Sequence, residues 1–215
     1  MVGWSSMEVR WVDEINEAVV REFWARKARG SDNRWTSSEM LAWEVDLLRS
    51  LLPHRPASIL DLGCGFGGLA RRVRRPADRL VGVDQEAEYS RTFTAPEEEF
   101  VLGPAQAFRS AERFDLILLF GVVTYVSPPV ERALYEVCRR HGRVAVIKNQ
   151  CASGPEKVIN EYSHDLSSQY SARYPNCDKQ LTSIRQYFRE VEVVVYPQRF
   201  QRWPETSHTA FIARD

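Results

Sequence analysis

Ile59-Leu60-Asp61-Leu62-Gly63-Cys64-Gly65-Phe66-Gly67-Gly68, followed at a short distance by Val81-Gly82-Val83-Asp84, is the stretch whose reading decides the fold. An apolar run, Ser58-Ile59-Leu60, stops at an acid; alternate glycines follow at Gly63, Gly65 and Gly67, and a helical pattern opens at Leu69. Glycines at this spacing let the chain turn tightly out of a buried strand and let a ligand approach the main chain, because no Cβ intervenes. Asp84 closes the next apolar run, where a carboxylate can accept both hydroxyls of an adenosine ribose. An adenosine-bearing ligand is therefore expected. Gly63, Gly65 and Gly68 also satisfy G-x-G-x-x-G, so a nicotinamide or flavin dinucleotide has to be weighed. Asp61, two residues before the first glycine, argues against it, since an acid at the strand end repels a pyrophosphate. So does the long stretch of chain that precedes the motif.

Asp61-Leu62-Gly63-Cys64-Gly65-Phe66-Gly67 resembles motif I of the class I S-adenosylmethionine-dependent methyltransferases, and Asp84 resembles their ribose-binding acid. The resemblance implies that S-adenosyl-L-methionine is the cofactor. The main chain from Gly63 through Gly65 to Gly67 would then cradle its methionine end, with Asp61 on the amino group, Asp84 on the ribose and Gln85 beside the adenine. After the third strand, where such enzymes often place an acid on the adenine amino group, this chain has Pro104, Ala105 and Gln106; Gln106 or backbone groups would substitute. The fourth strand ends Leu119-Phe120-Gly121-Val122, and Phe120 would border the reaction centre. The Asn/Asp-Pro-Pro-Tyr/Phe signature of base and glutamine methyltransferases is absent there, as is the acidic cluster of the magnesium-dependent catechol enzymes. Short stretches around Tyr125, 161–166 and 203–211 are similar to small methyltransferases of glycan and natural-product pathways. The implied function is methyl transfer to a small-molecule acceptor, a hydroxyl of a sugar or natural product. The alternatives are an N-methyltransferase acting on an amine, an NAD(P)-dependent oxidoreductase, and a non-catalytic methyltransferase-like subunit.

Composition narrows the class. The 215 residues fit one domain with a proper core. Lys plus Arg equals Asp plus Glu, 29 against 29, whereas proteins that grip a phosphate backbone need clustered positive charge, so no nucleic-acid partner is expected. The basic run Arg71-Arg72-Val73-Arg74-Arg75 reads as the solvated face of the first helix after the glycine loop. Cys64, Cys138, Cys151 and Cys177 form no C-x-x-C pair and no metal-spaced cluster with histidine, so neither a disulfide framework nor a metal is expected. No run reaches transmembrane length and no signal-like apolar segment opens the chain. A cytoplasmic protein without membrane partners, monomer or homodimer, is expected.

Periodicity supplies the architecture. Val12, Ile15, Val19, Phe23 and Trp24 repeat with a period of about 3.6 residues, predicting a helix over 9–27. Thr36 with Glu39 reads as a capping box for a second helix carrying Leu41, Val45, Leu48 and Leu52. From residue 58, strand candidates at 58–62, 80–83, 99–102, 114–120 and 143–147 alternate with helix candidates at 68–74, 87–92 and 130–140. Strands at 191–196 and 209–213 close the chain as an antiparallel hairpin. The expected fold is α/β: a doubly wound, seven-stranded, mostly parallel sheet with an antiparallel last strand, the Rossmann-like arrangement of the resembled family. One domain over 1–215 is expected, with an N-terminal helical cap at 1–53 and a substrate-facing insertion at 149–181. Within the insertion, 156–164 and 167–173 read as short helices; a further helix is placed at 182–188.

Candidate catalytic groups follow from the chemistry. A sulfonium methyl is already electrophilic, so the protein must orient it, and a hydroxyl acceptor must lose its proton to a group titrating near neutrality. His208 starts the last strand, which by running antiparallel brings that end to the crevice; His164 lies in the polar insertion; Tyr125 follows the fourth strand. These three are the catalytic candidates, each weighed against a structural role. His54 and His141 read as surface residues. Arg34 and Trp35, ahead of the second helix, are the substrate-binding candidates, with core packing the plainer reading for Trp35. Trp24 and Trp43 read as packing residues, and Trp203 could border the acceptor.

Overall fold

The computed structural model describes residues 14–30, 37–163, 167–201 and 203–215. Among the described residues nine strands form: β1 (Ser58–Leu62), β2 (Arg79–Asp84), β3 (Glu98–Leu102), β4 (Phe114–Phe120), β5 (Gly142–Ala152), β6 (Lys157–Ser163), β7 (Ser168–Tyr174), β8 (Glu190–Val195) and β9 (Thr206–Arg214). Seven of them make one sheet in the order β3-β2-β1-β4-β5-β9-β8. β1 to β5 are parallel, and β9 runs antiparallel between β5 and β8. The doubly wound sheet with its antiparallel last strand is thus present as expected.

The sheet forms because its central strands are apolar on both sides. Ile59 to Leu62 and Phe114 to Leu119 are buried without a break, as strands covered on both faces must be. Side-chain alternation then sorts two cores. Leu60, Leu62, Ile117, Leu119, Ile147 and Phe211 face α4 (Pro128–His141) and α5 (Cys177–Ile184). Ile59, Leu116, Leu118, Val146, Ala210 and Ile212 face α2 (Ser38–Ser50) and α3 (Gly68–Val73). Each such side chain contributes roughly 1.5–3 kcal/mol by leaving water.

Several local expectations change. The segments at 156–164 and 167–173 are not helices but the paired strands β6 and β7, in register from Lys157↔Tyr174 to Ser163↔Ser168. Their period is two: Tyr170, Ala172 and Tyr174 alternate with Ser171 and Arg173, and β-branched Val158 and Ile159 favour the pleat. The high polarity of the segment hides that alternation. α1 (Glu17–Ala28) packs on this hairpin and begins at Asn16, whose side chain accepts from Val19 N at 3.2 Å. The second helix is capped by Ser37, which accepts from Met40 N at 3.2 Å; Thr36, its expected cap, lies outside the described residues. α5 starts earlier than 182 because Asn176 caps it, accepting from Lys179 N at 2.9 Å. Residues 87–92 form a 3₁₀ turn.

The basic run is solvated only in part, at Arg72. Arg71 lies under the loop, bonded to Glu98 at 3.1 Å and to the carbonyls of Phe66 and Thr92, while Arg75 pairs with the fully buried Asp78 at 2.9 Å. His141 is buried at 2% exposure against Phe108, because α4 ends inside the core rather than at its edge. Among the described residues no helix is long and apolar enough to cross a membrane.

Candidate active site

The loop after β1 is held open by its own main chain. Gly63 and Gly65 take left-handed backbone angles, φ +71° and +51°. The amides of Gly63 and Cys64 donate to the Val83 carbonyl at 2.8 and 3.1 Å. A Cβ on Gly63 would stand 2.4 Å from Val122 Cγ2, so only glycine fits. A Cβ on Gly65 would meet nothing within 4 Å; it would project into open space. Asp84 ties the loop to β2: Oδ2 accepts from Gly65 N at 2.9 Å and Oδ1 from Glu86 N at 3.2 Å. Burial raises its pKa, and these backbone donors oppose the rise.

A cavity of about 320 Å³ lies over the C-terminal ends of β1, β4 and β5, the crevice at which open α/β sheets bind ligands. Of the residues expected there, Asp61, Gly63, Gly65, Phe120, Tyr125 and His208 line it. Asp84 is set behind the lining and touches the cavity's wall through Gly65. Gly67 turns away as the N-cap of α3, close to Phe93. Gln85 is exposed, Ala105 is buried in a 3₁₀ turn and Gln106 is half-buried; none of the three lines the cavity. His164, Arg34 and Trp35 lie outside the described residues.

Of the opposite wall, sequence reasoning named Tyr125 and Trp203, which both line the cavity, and missed the rest: Trp24 from α1, Tyr170 and Tyr174 from β7, and the Glu44–Lys148 pair. Glu44, 1% exposed, sits on the buried stripe of α2 with Met40 and Leu48, and an acid on an apolar stripe was the available signal. Lys148 follows the apolar run of β5 as Asp61 follows that of β1. Its ammonium stands 3.9 Å from Glu44 Oε1 and 5.6 Å from the Tyr196 ring centre, and Tyr196 donates to the same carboxylate oxygen at 3.2 Å. β4 and β5 meet beside it: Phe120 is in register with Lys148, and Gly121 N donates to the Lys148 carbonyl at 2.8 Å.

The tyrosines act as neutral groups. Burial pushes the phenols of Tyr125, Tyr170 and Tyr174 above the usual tyrosine range, and the hydroxyls of Tyr125 and Tyr170 share a hydrogen bond at 3.1 Å. Tyr125 therefore stays protonated at neutral pH and can donate a hydrogen bond, but is no base there. His208 remains as the described imidazole in the cavity. Its backbone amide is held by Gln201 Oε1 at 2.8 Å, and its ring lies 6.0 Å from that of Tyr196.

Residues present fit an adenosyl sulfonium donor. The glycine loop has open space over Gly65, where a ligand can lie against main chain, and a buried carboxylate at Asp61 suits an ammonium group. The Asp84 carboxylate, which accepts from Gly65 N and Glu86 N, has acceptor capacity left for a ribose hydroxyl.

Comparison with known proteins agrees with this geometry. Residues 59–143 match the family profile described as a methyltransferase domain. No curated protein matches the chain. Among solved structures, the Burkholderia thailandensis 1,6-didemethyltoxoflavin-N1-methyltransferase, bound to 1,6-didemethyltoxoflavin and S-adenosylhomocysteine, is similar with a TM-score of 0.74 at 18% identity, over 99% of both chains. The N-terminal domain of EvdMO1, determined with S-adenosylhomocysteine and D-fucose, is similar with a TM-score of 0.66 at 16% identity, over 92% of this chain and 95% of that one. The glycopeptide N-methyltransferase MtfA, complexed with S-adenosylmethionine, gives 0.60 at 11% identity, over 80% of this chain and 93% of that one. At such identities the likeness is one of fold.

Proposed function

We propose that this chain, which carries a methyltransferase domain on the class I fold, transfers a methyl group from S-adenosyl-L-methionine to a hydroxyl of a small-molecule acceptor. The observation that carries the reading is the glycine loop locked by Asp84 and open over Gly65, with buried Asp61 beside it. S-adenosylmethionine supplies a methyl carbon already activated by its positive sulfur. Asp61 would hold the amino group, the main chain from Gly63 to Gly67 the methionine end, and Asp84 the ribose. Phe120 and Gly121, closing β4, border the space in which acceptor and donor meet. The tyrosines and Trp24 exclude water and orient the acceptor, a contribution on the order of 7–11 kcal/mol when positioning is good. His208 is the described group suited to take the acceptor's proton. The hairpin β6–β7 serves as the substrate-facing wall.

Calorimetric titration with S-adenosylhomocysteine, run beside NAD and NADP, tests the reading. Micromolar binding of the first alone is expected. Preference for a dinucleotide would move the chain to the oxidoreductases.

A further inference from the structure

The two halves of the cavity differ in character. The glycine-loop side brings main chain and Asp61, with Phe66 and Tyr89 beside them; the other side is a wall of rings, Trp24, Tyr125, Tyr170, Tyr174 and Trp203. Three of these rings are locked into one another: Trp24 meets Tyr125 edge-on at 5.1 Å, and Tyr125 meets Tyr170 at 6.1 Å with their hydroxyls bonded. Polar side chains on this side are largely engaged with the protein. Gln150 Nε2 donates to Thr206 Oγ1 at 2.7 Å, and Glu44 is shared by Tyr196 and Lys148. A sugar brings several hydroxyls, and each one desolvated without a partner costs affinity. A flat ring brings faces and edges that aromatic walls accommodate without further polar partners.

Lys148 adds the second observation. It is the lysine at the meeting of β4 and β5, and among the described residues that line the cavity it is the one fixed cation. The titratable groups lining this space beside Lys148 are Glu44 from α2, Asp61 from β1, Cys64 in the glycine loop, Tyr89, Tyr125, Tyr170 and Tyr174 from β7, and His208 from β9, with Tyr196 behind them on Glu44. Asp61 is assigned to the donor's amino group and Glu44 fixes the lysine. The lysine thus borders the same cavity as Phe120 and Gly121, which close β4. A nearby opposite charge lowers an acid's pKa by roughly 1–3, which brings a phenol, near 10, within reach of neutral pH. An aliphatic alcohol, a far weaker acid, stays out of reach.

We propose that the acceptor is a planar phenol-type hydroxyl compound, held by the ring wall with its oxygen at Lys148. This rests on the methyltransferase reading and names its substrate class. When the phenol ionises, the O–H bond breaks, its electron pair stays on the oxygen beside Lys148, and the proton passes to His208 and from there to bulk solvent.

The probe is 4-methylumbelliferone, a planar phenol whose excitation spectrum distinguishes neutral and ionised forms, titrated into the protein with and without S-adenosylhomocysteine. Binding is expected, with a ratio of ionised to neutral forms in the bound probe at least tenfold above that in free solution at the same pH. Trp24→Ala should weaken binding about tenfold or more. Lys148→Met should return the bound probe to its solution ionisation, and Lys148→Arg should keep it ionised. Should Lys148→Met fold poorly because Glu44 is left unpaired, Lys148→Met with Glu44→Gln removes both charges and reads the same quantity. Saturation with S-adenosylhomocysteine but no probe binding would overturn this proposal alone, as would probe binding indifferent to Trp24 and Lys148, or displacement of the probe by a methyl fucoside at lower concentration than by 4-nitrophenol. Failure to bind S-adenosylhomocysteine would instead remove the methyltransferase reading beneath it.

Discussion

Asp84 shows how one side chain can serve both the loop and a ligand. Its Oδ2 holds the Gly65 amide, so the carboxylate shapes the cradle before anything binds. Asp84→Asn keeps the volume but gives up the charge and one acceptor oxygen. Hydrogen bonds to charged groups are worth about 1.5–3 kcal/mol, so S-adenosylhomocysteine affinity should fall roughly 10- to 100-fold in calorimetry. The chain should still fold, with a modest fall in melting temperature because Asn keeps one of the two loop amides; an unchanged affinity would remove the ribose assignment. The same scale corrects His141, read as a surface residue and found buried. Neutrality of Tyr125 is set by burial among rings from α1 and β7, which no neighbour in sequence reveals.

At the scale of elements, the hairpin β6–β7 is anchored by Arg173, 4% exposed, whose guanidinium pairs with Glu131 of α4 and with Glu156 at 2.8 Å and donates to the Val126 carbonyl at 3.3 Å. Glu131, 5% exposed, also accepts from Tyr135, which accepts from Gln180 at 2.9 Å. Tyr170 and Tyr174 flank Arg173 in β7, so this node fixes the ring wall. Arg173→Met leaves a buried carboxylate unpaired and should cost about 3–5 kcal/mol in urea unfolding. Arg173→Met with Glu131→Gln should recover much of that loss. If the single variant were as stable as the parent, the hairpin would owe its place to α1 instead. Strand periodicity was visible in Tyr170, Ala172 and Tyr174, but with so many Ser, Asn and Gln around them only a partner strand could make it decisive.

For the whole molecule, His141 couples stability to pH. Its ring is buried, Nδ1 faces the Glu112 carbonyl at 3.4 Å, and Nε2 has no hydrogen-bond partner among the described residues. Burial depresses its pKa below 6.5, and Arg140 and Arg109 add to the effect. The unfolded chain therefore takes up the proton more readily than the folded one. This contribution to stability is complete above pH 6.5 and is lost as pH falls through that value toward the folded pKa. Thermal melts between pH 8 and pH 5, a range of about three units around the histidine reference, should show the decline, and His141→Phe should flatten it. The sequence by itself determined the parallel strands, the glycine loop and the two strand-end acids, because each depends on spacing within one βαβ unit, where hydrophobic period and glycine freedom act locally. Only the tertiary structure decided what faces that loop. Sheet order β4-β5-β9 brings Phe120, Lys148 and His208 to one crevice, and packing joins Glu44 to Tyr196 across 152 residues of chain. The ring wall and its buried ion pair arise from contacts between distant elements, and no local pattern in the chain encodes such a meeting.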